Sequence, residues 1–231
     1  MTDYKSSGGS SIYNGLNYIY YILGVNICFI LSNILFIISI LVLKLEFQNI
    51  IFFMIALIPT GPSFTALFSV IGKFIREKDI YPFKDYFIAY KLNFKETMKI
   101  WSIQVAILLI VIIDIRYMLI AKDMSLILFK PLLLIAGLLV SISIYSYSIL
   151  SRFSLKTKDL IKLSVFYTFK KLPLSVFNIF VLCGFIYFAF FKSPMLIPLI
   201  GGIIGYIIMI GQSSTLKEIE ENIIINSSEL N

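Results

Sequence analysis

Long apolar segments constrain the fold of this chain more than any other feature. Each is close to the roughly 20 residues that a helix needs to cross a bilayer. Of the 231 residues, 59% are hydrophobic and 14% are charged, against about 45–50% and 25% in an ordinary soluble domain. The pattern predicts an all-α, polytopic transmembrane helical bundle of about six spans. The predicted spans are Ile19–Leu43, Ile50–Ile71, Ile100–Leu119, Phe129–Leu150, Leu174–Phe191 and Pro194–Ile210.

Lysine and arginine are concentrated in two of the segments between these spans. Residues 72–99 contain seven and residues 151–173 contain six. Because cytoplasmic loops of membrane proteins are enriched in these residues, both segments and both termini are predicted to be cytoplasmic. No small-residue cleavage site follows the first apolar stretch, so the first span is expected to remain as an anchor. The predicted organisation is a polar tail (1–17), a transmembrane domain (18–212) with cytoplasmic elbows at 72–99 and 151–173, and an acidic tail (213–231).

The composition also argues against several classes of function. The chain has no histidine, and both Cys28 and Cys183 lie in predicted membrane helices, where cysteine behaves as a small hydrophobic residue. No clustered carboxylates, nucleophile motif or nucleotide-binding glycine loop is present. We therefore expect neither enzymatic activity nor a metal or cofactor. The net charge of +7 fits cytoplasmic loops, and no soluble domain remains to bind nucleic acid.

The second predicted span is interrupted by Pro59-Thr60-Gly61-Pro62-Ser63. Neither proline can donate a backbone hydrogen bond, so two carbonyl groups lose their helical partners. In one interpretation Thr60 caps a half-helix whose N-terminus forms a ligand site, as in the discontinuous helices of transporters. In the other, favoured because the second half of the chain contains no matching break, the motif is a packed kink whose polar groups bond to Thr60, Ser63 or a neighbouring helix.

The first elbow contains a strongly amphipathic stretch. Aromatic residues recur at intervals of three and four, and lysines occupy the opposite side. Such a helix either lies among lipid headgroups or docks into the groove of a partner. The docking residues predicted from this pattern are Phe83, Phe87, Tyr90, Lys91, Phe94, Lys95 and Trp101.

Small and amide side chains mark the expected contacts between helices. A similar but weaker basic stretch in the second elbow suggests a repeat, and the acidic tail could pair with either elbow. Asp114 and Arg116 lie near the outer end of the third span, where snorkelling towards water is the expected behaviour. The predicted packing residues are Asn26, Asn33, Gly137, Ser141, Gly201 and Gly205.

Several of these elements resemble the YesL family of small bacterial integral membrane proteins. The resemblance depends on Pro59-Thr60-Gly61-Pro62-Ser63 with Ala66-Leu67, and on Asp85-Tyr86-Phe87 and Asn93-Phe94-Lys95 of the first elbow. It implies a location in the bacterial plasma membrane and an association with carbohydrate uptake, commonly beside binding-protein-dependent importers. No catalytic or ligand residues carry over from the family.

Two functions are expected from these features. The first is an accessory or partner of a carbohydrate import system, with importer permease subunits and the lipid bilayer as partners and homo-oligomerisation as a further option. The alternative is a small transporter or channel that uses the broken second helix as its substrate site.

Overall fold

The structure is a computed structural model of the chain, and it describes the backbone of residues 7–44, 46–121, 126–191 and 197–228. Within these ranges every long regular element is an α-helix, which confirms the predicted all-α bundle. The helices are α1 (Ser7–Ser32), α2 (Ile34–Val42), α3 (Ile50–Ala56), α4 (Thr60–Glu77), α5 (Pro82–Ala121), α6 (Leu126–Leu150), α7 (Thr157–Lys170), α8 (Leu172–Phe191) and α9 (Ile197–Ser228).

Two helices of the described ranges, α5 and α6, are each long and apolar enough to cross a membrane. Three further pairs meet the same criteria if each bent pair counts as one span, giving up to five candidates among the described residues. The bends are 66° between α1 and α2, 44° between α3 and α4, and 96° between α7 and α8. The sixth predicted span corresponds to the first part of α9, and its first three residues lie outside the described ranges.

Helix α5 differs from the prediction because the first elbow is not a separate helix. Its amphipathic residues form the first half of one continuous helix of 40 residues, which at about 1.5 Å per residue is roughly 60 Å long. Pro82 begins this helix, where a missing N–H costs nothing. The Asp85 carboxylate accepts a hydrogen bond from the Tyr81 backbone N–H at 3.0 Å. The amphipathic stretch and the third predicted span therefore form a single rod.

Helices α4 and α5 form an antiparallel hairpin, and its contacts fix their relative position. Near the turn, Lys73 Nζ lies 2.9 Å from Asp85 Oδ2. Further along, Thr97 Oγ1 donates a hydrogen bond to Thr65 Oγ1 at 3.1 Å. The first half of α5 thus runs beside α4. The aspartate raises the pKa of Lys73 above its ordinary value by a hydrogen bond.

Helix α4 lies at the centre of the bundle, in contact with α1, α5, α6 and α9. Most of its side chains are buried, including Leu67, Phe68 and Phe74. Its amphipathic neighbours bury only one face each, as expected of helices at the periphery of a bundle. The core therefore surrounds the half-helix that follows the proline break.

Within the second elbow, Thr157–Lys170 form a separate helix, α7. It ends at Lys170, and the chain turns by 96° before α8. Helix α9 continues past the last predicted span to Ser228, so the acidic segment is helical where it is described. Glu218 of this segment pairs with Lys170 and Lys171, and Glu220 pairs with Arg152. The two lysines hold the pKa of Glu218 below its ordinary value through hydrogen bonds.

Candidate functional site

The helix break consists of a short turn between Ala56 and Thr60. Backbone hydrogen bonds of the helical i+4 type end there, and the Ile58 N–H instead donates to the Ile55 carbonyl at 3.2 Å. The Thr60 N–H similarly donates to the Leu57 carbonyl at 3.1 Å. Hydrogen bonds between residues three apart tighten a helix end. They provide partners for backbone groups that have lost their ordinary helical bonds. The break therefore retains most of its backbone hydrogen bonds.

Trp101 of α5 inserts into the break from the side. Its indole Nε1 donates a hydrogen bond to the Leu57 carbonyl at 2.9 Å. Gly61 leaves the space for the ring, because a Cβ atom at this residue would lie 2.5 Å from Trp101 Cγ and 2.7 Å from Trp101 Cβ. Trp101 was predicted as part of a docking surface, but it is a packing residue that joins α5 to the break.

The two hydroxyl residues of the motif have different roles. Ser63 Oγ donates to the Pro59 carbonyl at 2.6 Å, and the Ser63 N–H reaches the same carbonyl at 3.1 Å. Thr60 was predicted to cap α4, which is wrong: the cap residue is Pro59, and no side chain makes a capping hydrogen bond. Thr60 is the first helical residue, and its buried Oγ1 has no hydrogen-bond partner. These contacts favour a packed kink over an open half-helix terminus.

Two cavities flank the Trp101 ring. One has a volume of about 250 Å³ and is reached by Asn33 and Thr60. The other has a volume of about 310 Å³ and is reached by Gln104 and Tyr147, whose hydroxyl donates to the amide oxygen of Gln104. Phe64, Phe68, Leu182 and Ile208 line both. Such walls suit an apolar group, and they offer few partners for the hydroxyl groups of a sugar.

The predicted aromatic stripe on α5 faces away from the bundle. Phe83, Phe87 and Phe94 are exposed and Tyr90 is half-buried. Lys91 and Lys95 are exposed beside them, and Leu92 is 80% exposed. The buried face of the same half-helix is formed by Tyr86, Ala89, Thr97 and Ile100. We call the exposed set Phe83, Phe87, Lys91, Leu92, Phe94 and Lys95 the α5 outer face.

Several predicted packing residues make the expected close contacts. Asn26 Oδ1 accepts a hydrogen bond from the Gly202 backbone N–H at 2.8 Å, which joins α1 to α9. A Cβ atom at Gly201 would lie 3.2 Å from Phe29 Cδ1, and one at Gly205 would lie 2.9 Å from Leu67 Cδ2. The glycines of α9 therefore allow α1 and α4 to approach closely.

The remaining predicted packing and charged residues behave differently. Asn33 does not join two helices: it lies at the bend between α1 and α2, and its Nδ2 donates to the Phe29 carbonyl of its own helix at 2.8 Å. Gly137 makes only an ordinary contact, with a Cβ position 3.6 Å from Ile179 Cδ1. Asp114 and Arg116 are both exposed, and the Arg116 guanidinium lies 4.8 Å from the centre of the Phe47 ring.

A cluster of buried polar side chains between α6, α8 and α9 was not predicted as a site. The Tyr145 hydroxyl lies next to Ser175 and Gln212, yet its geometry makes no hydrogen bond. Gln212 and Asn178 each have both side-chain amide atoms buried without a partner. Ser141, Ser148 and Thr215 also have buried hydroxyl groups without a hydrogen-bond partner. The sequence signal is the spacing of Ser141, Tyr145 and Ser148 on α6, of which only Ser141 is among the predicted packing residues.

Comparison with known proteins gives a match to a family over part of the chain. Residues 22–115, from α1 to near the end of α5, match the family described as Protein of unknown function, DUF624. The matched segment contains the break, the α4–α5 hairpin and the α5 outer face, and it excludes α6 to α9. No curated protein and no solved structure matches the chain.

Proposed function

We propose that the protein is a non-enzymatic, multi-pass protein of the bacterial plasma membrane with both termini in the cytoplasm. Its apolar helices, and the concentration of lysine and arginine in residues 72–99 and 151–173, support this proposal. A reporter enzyme that is active only outside the cell should be active when fused after Gln48 or Asp123. Inactivity of both fusions in stably expressed proteins would contradict the topology.

We further propose that the chain is a YesL-like protein and acts as an accessory of a binding-protein-dependent carbohydrate importer. The α5 outer face carries this proposal. Three phenylalanines and Leu92 are exposed there among lysines, on the half of α5 that precedes its long apolar part. Aromatic and aliphatic side chains surrounded by charge are typical of a surface that docks against another protein. The proposed occupant is a permease subunit of the importer.

The contacts at the helix break support an accessory function better than they support a sugar-binding site. Three carbonyl groups at the break are bonded from within the chain: that of Ile55 by the Ile58 N–H, that of Leu57 by the Trp101 indole, and that of Pro59 by the Ser63 hydroxyl. The adjoining cavities are almost entirely apolar. A sugar buried there would lose hydrogen bonds to water without replacing them, which costs about 1–3 kcal/mol for each unpaired group. The break therefore suits a fixed bend in a protein that works through its surfaces.

Affinity purification from native membranes tests the accessory role. The unmodified protein should retain importer permease subunits, and Leu92→Glu should lose them because a carboxylate would then replace an exposed apolar side chain of the docking surface. Ile223→Glu is the matched control, because Ile223 is also exposed but lies on α9. If permeases are absent from the unmodified sample, or are retained equally by both variants, the accessory proposal fails.

The alternative of a small transporter has one specific observation in its favour, the buried polar cluster between α6, α8 and α9. Unpartnered amides and hydroxyl groups inside a helical bundle could line a path for a polar solute. In this alternative, Asn178→Leu should reduce uptake of the transported solute while the protein still inserts. Thr60→Val and Gly61→Leu test the original version, in which the break is the site. If all three variants insert normally and take up every tested sugar at an unchanged rate, the transporter alternative is excluded.

A further inference from the structure

A cavity of about 350 Å³ opens at the end of the bundle where α4 and α6 terminate. It is distinct from the two cavities beside Trp101, and it combines an apolar side with a cationic side. Met209 and Leu216 of α9 contribute apolar atoms, and Ser213 contributes a hydroxyl group. Arg76, Arg152 and Lys217 contribute positive charge from three separate segments of the chain.

The two arginines are brought together by the fold. Arg76 bends back over α4, so that its Nη1 lies 3.3 Å from the position of a Cβ atom on Gly72. Arg76 is exposed at the cavity, and the positive charge of Arg152 acts on it electrostatically. Two guanidinium groups that repel each other across a cavity are stabilised by an anion between them.

The nearby carboxylates neutralise only part of this charge. Glu220 pairs with Arg152 at the edge of the cavity. Glu77, next to Arg76 in the chain, is exposed and also acts on it electrostatically. Lys217 is exposed and lines the cavity from α9. The cavity therefore retains cationic groups that face the same space as the Ser213 hydroxyl.

We propose that this cavity binds a phosphate group, held by Arg76, Arg152 and Lys217. Guanidinium groups match phosphate oxygens with paired hydrogen bonds, and such charge-assisted bonds are the strong ones. Inorganic phosphate alone is too small to fill the cavity, which is at the lower end of the range for small-molecule sites. The phosphate belongs either to the headgroup of an anionic phospholipid or to a soluble phosphorylated compound, with the rest of the ligand against Met209 and Leu216. This site is independent of the proposed accessory function.

The test uses the full-length protein in dodecyl maltoside, which contains no phosphate. Thermal unfolding is measured while dihexanoyl phosphatidylglycerol or glucose 6-phosphate is titrated, with glucose as the uncharged control. The ligand should stabilise the folded protein in proportion to its occupancy. Stabilisation by phosphatidylglycerol alone assigns the site to lipid, and stabilisation by glucose 6-phosphate alone assigns it to soluble phosphates.

The variants decide whether the cavity is responsible. Arg76→Gln combined with Lys217→Gln should raise the apparent Kd of the stabilising ligand by about tenfold or more. Lys162→Gln, which removes an exposed charge on α7 outside the cavity, should leave it unchanged. Glu220→Gln releases Arg152 from its carboxylate and should tighten binding by about threefold. The proposal is overturned if neither probe stabilises the unmodified protein, if the double variant binds as tightly, or if Lys162→Gln weakens binding equally.

Discussion

Gly61→Ala is the sharpest test of how the break is held. The added methyl group would lie 2.5 Å from Trp101 Cγ and 2.7 Å from Trp101 Cβ, so the ring or the α4–α5 hairpin must move. Overpacking of this kind costs about 1–3 kcal/mol, and loss of the indole hydrogen bond costs about 1 kcal/mol more. The higher helix propensity of alanine offsets up to about 1 kcal/mol of this loss of stability. We expect a net loss of about 1–3 kcal/mol, which for this chain length lowers Tm by roughly 2–12 °C.

Tryptophan fluorescence reports this change directly, because Trp101 is the only tryptophan in the chain. Gly61→Ala should shift the emission of the indole as well as lower Tm in detergent. Gly184→Ala on α8 is the matched control, since among the described residues no atom beyond its chain neighbours and its own helix backbone lies within 4 Å of the added Cβ. It should leave the emission unchanged and Tm equal or slightly higher. An unchanged Tm and emission in Gly61→Ala would refute the proposed packing.

Three further predictions follow from single contacts. Trp101→Phe keeps an aromatic ring but loses the indole N–H, so stability should fall by about 1 kcal/mol or more in thermal unfolding. Gly205→Ala, with a Cβ 2.9 Å from a leucine methyl group, should lower Tm, whereas Gly137→Ala, with its nearest atom at 3.6 Å, should not. Because the folded pKa of Glu218 is lowered from 4.5, its ion pairs should stabilise the protein above that pH and be lost as pH falls through the folded value. Glu218→Gln should flatten the pH dependence of Tm between pH 3 and 5 (about the range set by a carboxyl pKa). Glu221→Gln, at an exposed residue of the same helix, should not.

The helices themselves could be predicted from local pattern, because a run of about 20 apolar residues has few stable alternatives to a helix. The positions of the bends were partly predictable. Pro59 and Pro62 predict the 44° bend, because neither has a backbone N–H to continue the helical hydrogen bonds. The 66° bend at Asn33 has no proline or glycine at the break, so nothing in the local sequence indicated it.

The faces of α5 could not be assigned from the sequence alone. Its first half is amphipathic, and the aromatic stripe was expected to face lipid headgroups or a docking partner. In the structure the buried face is set by what α4 presents, so Tyr86 and Thr97 are buried while Phe87 is exposed. Hydrophobic pattern records which residues favour burial, but the neighbouring helix decides which of them are buried. The polar cluster around Tyr145 was missed for the same reason, since its members come from three helices.

The break and the α5 outer face are connected through helix α5. Trp101 bonds the Leu57 carbonyl at the bend, and the same continuous helix carries the exposed phenylalanines of the outer face several turns earlier. The ion pair between Lys73 and Asp85 joins α4 to α5 near the turn of the hairpin. A partner that moves α5 must therefore also move Trp101 or bend α4 further. Closely packed helices transmit displacement with little deformation. The break therefore fits the proposed docking function without binding a substrate, because it sets the angle at which the α4–α5 hairpin is held.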